Sequence, residues 1–220
     1  MSKRILADGS IYVAPRMLGY YDHGSPRILD EDTSEILDPN DFQTKLRIYE
    51  REVKEWFLKP AKNILELSSF NNSFVVIMIC MSYIEGVEQY ICGKSSRNNS
   101  RVFFFNSIKR LFQNQFSDVE MQSLYSKTRC GLFHNGMVKG GVLFNNTDLS
   151  AALEIYESGE DIRINPRLLL GVIENDFEEY LVKLKSTIEN SNKINNIYRI
   201  NFEKVFDVLG EAKEAGISYD

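Results

Sequence analysis

The chain has 220 residues, of which 43% are apolar and 26% charged, and its net charge is −5. That is enough length for one large or two small domains around a real core, and the balance is that of an ordinary soluble globular protein. It excludes a chain wholly devoted to coating nucleic acid. Three cysteines, Cys80, Cys92 and Cys130, are too few and of the wrong parity for a disulfide framework, so a reducing cytoplasm is the expected compartment. The N-terminal "MSKRILADGS" lacks the apolar stretch of a signal peptide, and the most apolar run, residues 74–81, is soon broken by Glu85 and Glu88. No membrane anchor is expected.

Residues 1–38 carry Gly9, Gly19, Gly24, Pro15 and Pro26 among scattered aromatics and show no helical period. They predict a partly irregular N-terminal arm with one short strand near residues 10–14. His23 sits here and reads as a surface-loop histidine. The segment 39–210 predicts one helical domain. Its first helix opens after "DPND", with Phe42, Leu46, Tyr49, Val53 and Trp56 on one stripe and Pro60 as the kink or stop. A second helix over residues 71–92, apolar nearly all round, stops at Gly93. A third over 101–115 carries Phe104, Phe105, Ile108, Leu111 and Phe112, read as core rather than as a base-stacking platform.

The fourth helix opens on the capping box Ser117-x-x-Glu120 and runs through Met121, Leu124, Tyr125, Thr128 and Leu132. A change of texture over about 141–164 predicts strands near 142–144, 153–157 and 162–164, the last two as a hairpin. Pro166 opens a long fifth helix, a short helix over 202–209 ends at Gly210, and residues 211–220 read as a frayed tail.

Nucleotide-loop, dinucleotide, paired CxxC, HExxH and GxSxG patterns are absent from the sequence, and its two histidines do not make a histidine-rich metal site. No metal and no cofactor is expected. What remains is "KTRCGLFHNGMVKGG", with Arg129 and His134 in R-x4-H spacing. Five residues on a straight helix turn by roughly 140°, so the two side chains converge only through a bend, which Gly131 allows, through the arginine's length, or across a symmetric partner. Eight basic residues between Lys94 and Lys139 face only Asp118 and Glu120, a local +6 in a chain that is −11 elsewhere. Such a region suits phosphate. RNA supplies its own 2′-OH nucleophile, histidine can move the proton, and arginine can clamp the phosphate. The same segment also reads simply as a helix end, with Asn135-Gly136 as the stop.

"LYSKTRCGLFHNGM" and its place at the end of a later helix resemble the HEPN superfamily. The resemblance spans about residues 41–189. It implies a bundle of four to five helices, so that with the β segment read above the expected fold is mainly α, HEPN-like, with a small β-hairpin insertion after the motif helix. It implies a metal-independent endoribonuclease acting on RNA, commonly a homodimer, with Arg129 and His134 catalytic and with an antitoxin or other defence-system protein as partner. Active members often carry Asn, Asp or His after the arginine, where this chain has Cys130. Asn135 and Glu85 are the supporting candidates, Glu85 either paired with Arg129 or solvated. Lys109, Arg110, Lys127 and Lys139 are the candidates for RNA contacts. The alternative is a catalytically inactive dimerisation or RNA/protein-binding module. A third possibility is a small-molecule hydrolase built on Cys130 and His134.

Overall fold

Residues 11–37 place short apolar runs between pairs of turn residues, and each turn closes an antiparallel pairing. The computed structural model describes residues 10–67, 72–145, 150–189 and 196–208. β1 (Ile11–Ala14), β2 (Met17–Asp22), β3 (Ser25–Asp30) and β4 (Glu35–Leu37) form a four-stranded meander in chain order. His23 and Gly24 both have positive φ, 46° and 76°, as a two-residue hairpin turn matching the strand twist requires. They close β2 on β3 with Asp22 opposite Ser25 and Met17 opposite Asp30. Ile11, Val13, Met17 and Ile28 are buried. So is Asp30, whose carboxylate accepts two hydrogen bonds from Arg51 at 3.0 Å and one from the Asp32 N–H at 3.0 Å, and pairs with Arg47 at 2.8 Å. The expected loose arm is therefore, over its described part, an ordered sheet clipped by ion pairs to the first helix.

α1 (Phe42–Val53) begins where the Asp41 carboxylate accepts the Thr44 N–H at 2.9 Å. Phe42, Leu46, Tyr49 and Val53 form its buried stripe. Pro60 does not end the helix. A π turn over Lys54–Leu58, in which the Lys59 N–H reaches back five residues to the Lys54 carbonyl, leads into α2 (Lys59–Glu66). The widened turn relieves the clash a proline ring makes with the carbonyl four residues before it.

There follow α3 (Asn72–Cys92), α4 (Ser100–Leu111), α5 (Asp118–Leu124) and α6 (Cys130–Asn135), then β5 (Val142–Phe144), β6 (Leu153–Tyr156) and β7 (Asp161–Ile164), and finally α7 (Pro166–Glu189) and α8 (Ile197–Val205). α3 is the one helix among the described residues that is long and apolar enough, by composition, to cross a bilayer. Here it packs on α2, α4, α7 and α8, the surroundings of a core helix. Tyr49 of α1 meets Phe177 of α7 at 5.6 Å and Phe202 of α8 at 5.2 Å between ring centroids, so an aromatic cluster joins three helices.

The fold class expected from the sequence is overturned. A mainly α bundle of four to five helices, HEPN-like, with one hairpin insertion does not describe a chain that carries a four-stranded antiparallel sheet and a three-stranded mixed sheet besides its helices. The expected hairpin exists as β6–β7, but β5 joins it in parallel on β7, Val142 opposite Ile162, in the order β5-β7-β6. The last helix, expected over 202–209, instead spans Ile197–Val205 and is capped at Phe206. Residues 209–210, the tail 211–220 and the first nine residues of the arm lie outside the described residues.

Candidate active site

The motif segment is built on a helix that changes pitch. Ser117 and Glu120 complete the capping box at the start of α5, the Ser117 hydroxyl accepting the Glu120 N–H and the Glu120 carboxylate accepting the Ser117 N–H at 2.8 Å. α5 passes into a π turn over Tyr125–Arg129, where the Cys130 N–H reaches back to the Tyr125 carbonyl. α6 completes the helix, and Gly136 at φ 69° caps it in the left-handed conformation. The chain then folds back along α6, and the Lys139 N–H donates to the Lys127 carbonyl at 2.9 Å. Gly131 is where the two passes touch, because a Cβ there would lie 2.7 Å from the Met137 carbonyl oxygen. Its role is close approach rather than a bend.

Arg129 lies at the seam between π turn and α6 and is mostly buried. Its Nε–H donates to one oxygen of Glu85, on α3, at 2.9 Å, and its Nη2 lies 2.8 Å from the same oxygen as an ion pair. The guanidinium lies over two rings of its own helix, 5.7 Å from the Tyr125 centroid and 5.0 Å from that of Phe133. Nη1 has no hydrogen-bond partner among the described residues, so one edge of the fork is held and the other is open. His134 is exposed in the last turn of α6 and likewise has no partner among the described residues. With α6 regular between them, the two side chains leave the helix roughly 140° apart and do not converge within one chain.

The supporting candidates separate. Asn135, exposed, is not the cap; Gly136 is. Cys130 is half-buried with a free thiol. Lys139 is exposed and has no acidic partner among the described residues, and Lys109 pairs with Asp118 at 2.9 Å across α4 and α5. Two of the expected RNA contacts have other work. The Lys127 ammonium donates to the Gly159 and Glu160 carbonyls at 3.0 and 3.1 Å, tying the turn before β7 to the helix. Arg110 points inward, bonded to Asp176 of α7 and 3.7 Å from the buried Glu88 of α3; Tyr83 donates to the other Asp176 oxygen at 2.9 Å. It closes an interior network because α4 turns that face onto α3 and α7.

Three residues outside the R-x4-H pattern add to this region. Arg101, on α4, is exposed and among the described residues bonds only the neutral Gln122, at 3.3 Å. Tyr125 and Phe133 are the rings around Arg129, and their spacing of four residues on either side of it was the available signal. Comparison of the chain with protein-family models, with curated proteins and with solved structures found no match in any of the three.

Proposed function

We propose that this chain is a metal-independent endoribonuclease working as a homodimer in a reducing cytoplasm. The observation that carries this reading is the half-held guanidinium of Arg129, oriented by Glu85 with its Nη1 edge open, on the same short helix as an exposed, unpartnered imidazole. A fork fixed by a carboxylate on one edge is set to take two phosphate oxygens on the other. The substrate 2′-OH attacks the adjacent phosphorus, the bond to the leaving 5′-oxygen breaks, and His134 moves the proton as general acid or base. Arg129 stabilises the charge that develops on the phosphoryl oxygens.

Because the two groups diverge within one chain, the working site pairs Arg129 of one copy with His134 of another. The reading rests on this chemistry, not on shared architecture. The similarity of the motif segment adds toxin–antitoxin or phage defence as the setting, with a cognate protein as partner.

Cleavage of unstructured RNA in EDTA tests the proposal. The wild type is expected to cleave. His134→Ala is expected to lose about 100-fold or more, the usual size of a general acid–base contribution, and Arg129→Lys, which keeps the charge but not the fork, to lose a comparable factor. Equal cleavage by all three proteins, folded alike by circular dichroism, sinks the assignment.

The second reading is a non-catalytic module that binds RNA or protein through the same face. Its support is that Arg129 is held by a carboxylate and two rings, as a structural ion pair would be, and that Cys130 follows it. RNA bound in a salt-sensitive way and left intact by the wild type selects it.

A further inference from the structure

α4 and α5 run side by side, joined by three cross-links in order. Lys109 pairs with Asp118, Arg101 bonds Gln122 at 3.3 Å, and the Ser100 hydroxyl bonds the Tyr125 hydroxyl at 2.9 Å. Between the helices lies an open groove of about 520 Å³, lined by Val102, Phe105 and Val119 and flanked by Arg101 and by the Lys109–Asp118 ion pair. Val102 and Val119 are 50% and 62% exposed, unusual for valines on neighbouring helices of a folded chain. The groove has a direction. Beside its Arg101 end the Ser100 hydroxyl meets that of Tyr125, whose ring centroid lies 5.7 Å from the Arg129 guanidinium. From Lys109 to Ser100 is nine residues of helix, about 14 Å.

We infer that this groove carries a single-stranded RNA toward Arg129, its backbone over Arg101 and Lys109 and its base faces on Val102, Phe105 and Val119. The inference rests on the ribonuclease reading for its ligand but not for its geometry. Charge complementarity favours a polyanion. Arg101 meets only a neutral amide, and Lys94 and Arg97, on the loop leading into α4, are exposed with no acidic partner among the described residues. An apolar, partly aromatic lining between flanking cations is how sequence-tolerant single-strand sites are built. A duplex, with its bases turned inward, has nothing to place on such a lining. Arg110 and Lys127, being internal struts, have no part in the path, and Arg101 takes their place.

The test is anisotropy of a short fluorescein-labelled oligouridylate with the full chain carrying His134→Ala, so that nothing is cut, across a salt series. Adding Arg101→Ala is expected to lower the slope of log affinity against log salt by about 0.7, the value of one single-strand phosphate contact. Val119→Glu, an exposed substitution that sets a like charge against the backbone, is expected to weaken binding about tenfold or more. Lys62→Ala, an exposed cation on α2, should change neither. Unchanged slope and affinity in both groove variants overturn the proposal, as does an oligoglutamate peptide that binds as tightly as the RNA and loses affinity in the same variants. The two readings fail separately. RNA held in the groove but never cut by the wild type rejects the ribonuclease and keeps the path. RNA cut by Arg101→Ala and Val119→Glu with wild-type KM rejects the path and keeps the ribonuclease.

Discussion

Arg129 shows how much of a residue's role lies in what already holds it. Its charge was visible in the sequence and its partner was not, because Glu85 lies 44 positions away on α3. Glu85→Gln keeps the shape but weakens the ion pair. The expected outcome is a loss of about 1–3 kcal/mol of stability for a mostly buried charged hydrogen bond, read by urea unfolding. KM should also rise for want of an oriented fork, and a purely structural pair would move the first and not the second. Thr128, in the π turn, is fully buried with a hydroxyl that has no partner among the described residues. Thr128→Val removes that unpaired group at constant shape and is expected to stabilise the protein by about 1 kcal/mol, visible as a higher unfolding midpoint. The sign is opposite to that of most core substitutions.

At the scale of elements, helices were legible where an apolar stripe and a cap agreed. The Asp41 cap, the Ser117–Glu120 box and Pro166 each mark a helix start that the structure contains. The meander was not legible, for reasons of local chemistry. Pro26 lies in β3 opposite Tyr21, beside the hairpin turn, where a missing N–H is tolerated, yet in sequence it argues against a central strand. Asp30 breaks the apolar alternation on the inward face because its compensating cations, Arg47 and Arg51, come from α1. Burial alone would raise the Asp30 carboxyl; the Arg51 hydrogen bonds, the Asp32 N–H and the Arg47 charge outweigh it and hold it below the usual range. The stability it lends is therefore present above its unfolded value, near pH 4, and is lost as pH falls through the lower folded value. Asp30→Asn is expected to cost about 3 kcal/mol at pH 7, with the gap to wild type closing as the pH drops through that window. Gly131 is a second such case. It reads as a hinge, but the returning chain at Met137 is what requires it. Gly131→Ala should destabilise the motif segment by pushing that chain off, seen as faster hydrogen exchange at the Lys139 amide, which Lys127 accepts.

For the whole molecule, the helical core around α3 joins the N-terminal sheet, through α1, to the smaller mixed sheet that braces the motif helix from the other side. Lys127, Ser123 and the turn at Glu157–Gly159 make that brace, so a cation read as a ligand contact is a strut. The +6 region survives in reduced form. Lys94, Arg97, Arg101 and Lys139 remain without acidic partners among the described residues, Lys109 shares a surface pair with Asp118, and Arg110, Lys127 and Arg129 are held by contacts within the fold. What no single chain provides is the convergence of Arg129 and His134, and in the proposed homodimer a second copy supplies it. The most direct test mixes two inactive proteins, Arg129→Lys and His134→Ala, under conditions that let subunits exchange, and follows RNA cleavage in EDTA. A shared site predicts that activity returns on mixing, because the heterodimer pairs the intact arginine of one chain with the intact histidine of the other. A mixture as inactive as its components, with subunit exchange shown independently, rules out a site shared between copies.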